Sequence, residues 1–309
     1  MSSEKQWQAC RTLLYTPSIA NWLRLCSLLD DCQCEEKQGL LLSYIKKHLE
    51  PWPLETPQKS SNNAPILFRT APPSWKKQVL TGASPPFGWE LVRCLQCYYE
   101  AELFEENRLS FIVEKGWLDG LTHLSLTGCE LRGDFLSVVA ATQRLPSLTH
   151  LVLHGNQLHP QHLYDFLRSP CCQHLEFLDL GACNLHDQAA ITIAEATTLQ
   201  RLRCLRLPRN YLGMEGVYAL ANTDNLPALT QLSLESQYAS VSQGPLFRQG
   251  KPHLYKAYRM GSLYYLERAD LLPLCLREGL GSQTELESFS LPQLQALLLN
   301  HWKHKADKE

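Results

Sequence analysis

The sequence predicts an α/β solenoid: strand–turn–helix units laid side by side, their strands forming one parallel sheet and their helices backing it. Three observations carry this prediction. The stretch LTHLVLHGNQL at 148–158 recurs as LTHLSLTGCEL (121–131), LEFLDLGACNL (175–185), LRCLRLPRNYL (202–212) and LTQLSLESQYA (229–239), evenly stepped along the chain with nothing inserted between units. Counting the first leucine of each unit as position 1, apolar residues return at positions 16, 19, 20 and 25. Examples are Leu136, Val139, Ala140 and Leu145, and then Leu163, Phe166, Leu167 and Cys172. Position 9 alternates as Cys129, Asn156, Cys183 and Asn210.

Each part of the unit follows from those spacings. Leucines at positions 4 and 6 point the same way from a strand and enter the core, whereas positions 3, 5 and 7 point the other way. Position 9 turns inward where the strand ends. An asparagine amide there both donates and accepts to backbone groups that have lost their ladder partners, and a cysteine is small and tolerates burial. Positions 16, 19 and 20 share one face of a helix of about three turns. One unit cannot bury its own apolar edge, so units stack. Strands then lie ~4.8 Å apart. The strand side becomes concave because strands pack closer together than helices.

These units resemble leucine-rich repeats, specifically the ribonuclease-inhibitor-like subclass, and are similar to the repeat tails of NOD-like receptors. The resemblance covers residues 121–239 and implies a parallel concave sheet that binds proteins. Two features depart from the pattern. The step is 27 rather than 28 or 29, and the fifth unit decays at Gln237 and Ala239, which marks the end of the array.

The flanks read differently. Residues 1–50 predict a small helical bundle. One helix starts at Thr16-Pro17 and presents Trp22, Leu25, Cys26 and Leu29; another runs from about Glu36 with Leu42, Ile45 and Leu49 on one face. Residues 51–88 hold eight of the eighteen prolines and read as a linker or a strap over the repeats. Residues 89–120 are apolar and aromatic without the leucine pattern, and read as the N-terminal cap of the solenoid. Residues 240–309 read as a mostly helical C-terminal cap. Its last helix is capped by Ser290 and docks Leu294, Leu297, Leu298 and Trp302 on the final repeat; LESFSL at 286–291 alternatively reads as a stray strand.

Composition excludes several function classes. The net charge of −2 argues against nucleic acid, and no apolar run approaches the ~18 residues of a membrane span. The N-terminus lacks the pattern of a signal peptide, so the twelve cysteines read as free thiols of a cytoplasmic protein. Phosphate-loop, dinucleotide, zinc-protease and nucleophile-elbow motifs are absent. The pairs Cys32/Cys34 and Cys94/Cys97 are too far apart and too unevenly spaced for a zinc ribbon.

The expectation is therefore a non-enzymatic, monomeric interaction module or scaffold with no cofactor. Its protein partner would be read by the outward strand positions: His123, Ser125, His150, Val152, His154, Phe177, Asp179, Arg206, Gln231, Ser233 and Glu235. Phe177 has no core to enter and suits an anchor. Asp179 and Arg206 face each other across one strand gap. His123 and His150 also face each other, close enough to share a metal, but the strand supplies no third ligand: His154 lies ~13 Å along it from His150. The alternative is a substrate-recruiting array for an enzyme, such as a ubiquitin-ligase-like adaptor, with chemistry in the flanks.

Overall fold

The computed structural model describes residues 3–32, 35–59, 65–100, 106–234, 272, 275–276, 279–290, 293–294, 296–298 and 301. Its centre is one sheet of six parallel strands in chain order: β3 (Cys94–Tyr98), β4 (His123–Thr127), β5 (His150–Val152), β6 (Phe177–Asp179), β7 (Cys204–Arg206) and β8 (Gln231–Ser233). From β4 onward the register is the sequence repeat itself. Leu124, Leu151, Leu178, Leu205 and Leu232 are matched one to the next, and all are buried. Helices α5 (Glu106–Glu114), α6 (Asp134–Thr142), α7 (Pro160–Leu167), α8 (Asp187–Glu195) and α9 (Met214–Asn222) follow the strands, each packed on the next. They are 8 or 9 residues long, nearer two and a half turns than three. Their inner faces match the predicted positions: Leu136 and Val139, Leu163 and Phe166, Ala190 and Ile193, Val217 and Leu220 are all buried.

Position 9 closes the turn after each strand. The Asn156 carboxamide oxygen accepts from the Cys129 and Leu131 amides at 3.1 and 3.0 Å. Its NH₂ donates to the Leu126 and Leu153 carbonyls at 2.7 Å each. Asn210 repeats the arrangement on Cys183, Leu185, Leu180 and Leu207. Each asparagine thus reaches back to satisfy the cysteine turn before it. Cys183 in turn donates to the Leu153 carbonyl of the preceding asparagine unit at 3.1 Å.

The sheet begins one strand earlier than the leucine pattern. Residues 89–120, expected to be a cap without a repeat, contain β3, paired in parallel register with β4, and α5. Leu95 and Cys97 take the core positions, so the Cys94/Cys97 pair is buried strand rather than a ligand set. The edge of β3 is in turn covered, by a bridge from Thr70.

The N-terminal region forms three helices, α1 (Ser3–Tyr15), α2 (Ile19–Asp30) and α3 (Glu35–Leu49), with Trp22, Leu25, Cys26, Leu29, Ile45 and Leu49 buried. The cap of α2 is Ser18 rather than Thr16: its hydroxyl accepts from the Asn21 amide at 3.1 Å. Indole N–H groups tie the region together. Trp22 donates to the Thr70 carbonyl, Trp52 to that of Leu14, and Trp75, on α4 (Pro73–Leu80), to the Asp30 carboxylate. One hydrophobic core runs unbroken from Cys10 to Leu234, so bundle and repeats are a single packed body.

The proline-rich segment is a strap with structure of its own. It carries an antiparallel hairpin, β1 (Glu55–Lys59) and β2 (Pro65–Leu67). At the other end, α10 (Gln283–Glu287) takes the start of 286–291, and the described residues 286–290 are not a strand. The Ser290 amide donates to the Gln293 side chain at 2.7 Å, half of a capping box. Among the described residues, Leu294 and Leu298 pack with Cys275 and Leu286 in a small cluster separate from the main core. Trp302, Gln237 and Ala239 lie outside the described residues.

Candidate recognition face

Positions 3, 5 and 7 of the strands face away from the leucine core, as the alternation requires. Position 3 forms one row across the sheet: His123, His150, Phe177, Cys204 and Gln231. Position 5 forms a second: Ser125, Val152, Asp179, Arg206 and Ser233. The register brings together nine of the eleven expected residues and His154 adds a tenth; Glu235 lies outside the described residues.

The rows are not uniformly open. His123 and Ser125, expected to be exposed, are buried, each 7% exposed. The hairpin explains His123, because Glu55 of β1 lies against His123 and His150. Ser125 lies beside Tyr98 of β3, with its hydroxyl 3.3 Å from that of Thr127. Asp179, expected as a charge a partner reads, is also buried. Its carboxylate accepts from the Gly181 amide at 2.9 Å, lies 3.4 Å from the His154 ring and pairs with Arg206 at 3.4 Å. Asp179 therefore positions Arg206, which is the exposed member of the pair. Arg206 and Gln231 are exposed, while His150, Val152, His154, Phe177, Cys204 and Ser233 are half-buried.

An aromatic ladder crosses the first half of the face. The His123 and His150 rings stack at 4.1 Å between centroids, and His150 stacks on Phe177 at 5.6 Å. Burial pushes the His123 ring down to about 3, helped by the neighbouring His150, and burial also lowers His150. Both rings are neutral at pH 7, which is the form that stacks without repulsion.

Sequence reasoning missed Glu55, which stands far before His123 along the chain, in a segment read only as proline-rich. It also missed Gln96 and Tyr98, the position 5 and 7 residues of β3. For these the signal was present in the alternation of CLQCY, with apolar residues at the two core positions.

Comparison with known proteins bears on the repeat. No curated protein is significantly similar in sequence. Among solved structures, an internalin from Listeria monocytogenes aligns at 15% identity with a TM-score of 0.27, over 48% of this chain and 42% of that one, so the chain spans less than half of that protein's length. The family described as Leucine Rich repeat matches residues 171–194, which run through β6, its turn and most of α8. That matched unit stands in unbroken register with its neighbours on both sides, and the chain therefore carries an array of leucine-rich repeats.

Proposed function

We propose that the chain is a non-enzymatic recognition module that binds a protein partner on the open part of its strand face, from Val152 and Phe177 to Gln231 and Ser233. The observation that carries this reading is the fixed register of rows 3 and 5, which sets an aromatic ring, an aimed guanidinium and an amide side by side on rigid backbone. Such a surface loses little freedom on binding, so its contacts go into affinity and specificity. Phe177 supplies an apolar anchor, and Arg206, held by Asp179, supplies directed donors for a carboxylate or carbonyl of the partner.

The alternation of asparagine and cysteine at position 9, with a helix after each strand from β3 to β7, supports placing the array in the ribonuclease-inhibitor-like subclass. The thiols support a non-enzymatic, cytoplasmic reading. The eleven described cysteines are free, and burial pushes Cys10 and Cys129 to about 11 and Cys94 and Cys183 to about 12. Cys171 is lowered, by a hydrogen bond from Cys172, but it is buried. None pairs a low pKa with access, as a catalytic thiol must. Among the described residues no helix is long and apolar enough to cross a membrane.

The test is affinity capture with the full chain beside a Phe177→Ala, Arg206→Ala, Gln231→Ala variant. Partners retained by the wild type should drop out with the variant while its circular dichroism is unchanged. Equal capture of every partner by both would place recognition elsewhere on the molecule.

A further inference from the structure

The geometry points to Glu55, His123 and His150 as a divalent transition-metal site, with Zn²⁺ the fitting ion, that fastens the β1–β2 hairpin to the strand face. A ring nitrogen of each histidine and a carboxylate oxygen of Glu55 all lie within 4.8 Å of one another. Three atoms so placed share a point within about 2.8 Å of each, and Zn²⁺ holds nitrogen at ~2.0–2.1 Å and carboxylate oxygen at ~2.0–2.2 Å. Closing the site takes movements of less than about 1 Å, together with a swing of one imidazole, because stacked rings send their lone pairs nearly parallel. The freedom to move lies with half-buried His150 and exposed Glu55 rather than with buried His123.

The hydrogen-bond network prepares the site. The Thr122 hydroxyl donates to the Arg93 carbonyl at 3.1 Å, so toward the His123 Nδ1, 2.9 Å away, it can only accept. The Thr149 hydroxyl donates to the Thr122 carbonyl at 3.0 Å and accepts in the same way from the His150 Nδ1 at 2.9 Å. Each ring therefore carries its proton on Nδ1 and leaves Nε2 as a bare lone pair. A ring N–H held by a fixed acceptor sets the tautomer and orientation that a metal-binding histidine needs. The His123 Nε2 is buried and has no hydrogen-bond partner among the described residues. Two lone pairs and a carboxylate thus stand within reach of one another with no donor among them, and a cation satisfies all three. Two histidines and one glutamate, with water in the fourth position, form a familiar zinc environment. The third ligand that the strands lack comes from the strap.

Zinc titration of the chelator-treated full chain by calorimetry tests this, without any partner protein present. The expected result is one equivalent bound by the wild type. Glu55→Gln and His150→Ala should each weaken binding more than tenfold, and Thr149→Val, which removes only the orienting hydroxyl, should weaken it about 10–100-fold. Glu55 is exposed, so Glu55→Gln leaves the fold intact, as circular dichroism will verify. Co²⁺ substituted for Zn²⁺ should give a spectrum without thiolate charge transfer. The proposal is overturned if the wild type binds no zinc, if Glu55→Gln and His150→Ala bind it as tightly as wild type, or if the cobalt spectrum shows cysteine ligation.

Discussion

Asn156 makes four hydrogen bonds to groups that no strand or helix can reach, and three of them belong to the unit before its own. Replacing it with alanine leaves buried amides and carbonyls unpaired, each costing ~1–3 kcal/mol. Asn156→Ala should therefore lose about 3–5 kcal/mol in urea unfolding, and a loss below about 1 kcal/mol would show that water substitutes for the amide. His123 makes a different prediction. Buried between His150 of β5 and Glu55 of β1, its ring stays neutral until pH falls to about 3, whereas in the unfolded chain it protonates near 6.5. Below 6.5 the unfolded state holds the extra proton, so in chelator the stability contributed by neutral His123 declines as pH falls from 6.5 toward 3. His123→Phe should flatten this part of the pH profile of the urea midpoint; an unchanged slope would assign the acid sensitivity to other groups. At this scale the sequence was most legible where chemistry recurs. Position 9 stood out because the same need arises once in every unit, whereas Glu55 did not, because nothing local marks a carboxylate that meets its partners only through tertiary packing.

Elements that repeat were readable and elements that occur once were not. Strands β4 to β8 and the helices α6 to α9 follow from leucine spacing, because each unit faces the same packing problem. Strand β3 was hidden for physical reasons. Cysteine replaces leucine at position 6, Glu100 takes the position of the asparagine, and the step from Cys94 to its partner His123 is longer than the step from His123 to His150. Glu100 instead holds Lys76 of α4 at 2.6 Å, so the first turn is secured by an ion pair. The hairpin β1–β2 escaped because a proline-rich segment carries no periodicity, and its pairing depends on the surface beneath it. Within the array, Leu178 of β6 is buried and matched to Leu151 and Leu205. Leu178→Ala should cost about 2–5 kcal/mol, measured by thermal or urea unfolding, because neighbouring units collapse only partly around the cavity. Ser18→Ala, at the single side-chain cap of α2, should cost about 1 kcal/mol, and a larger loss would mean that the bundle depends on that helix start more than its packing suggests.

Across the whole molecule, the continuous core makes the N-terminal bundle a structural end-piece of the solenoid rather than an appended domain. The indoles of Trp22, Trp52 and Trp75 bind α1 and α2 to the strap and to α4. Removing residues 1–50 should therefore abolish cooperative unfolding of the remainder. A truncated chain that still melted sharply would show that the bundle folds apart from the array. The dependence of each cysteine turn on the next asparagine also constrains how such a molecule changes length. Excising residues 148–174 brings Cys183 behind Cys129 and strands the Cys129 turn without an amide, whereas excising 148–201 brings Asn210 there and restores it. The heritable building block is a doublet, one cysteine unit with the asparagine unit that follows it, and growth or shrinkage by odd numbers of units leaves a scar at every mismatched seam.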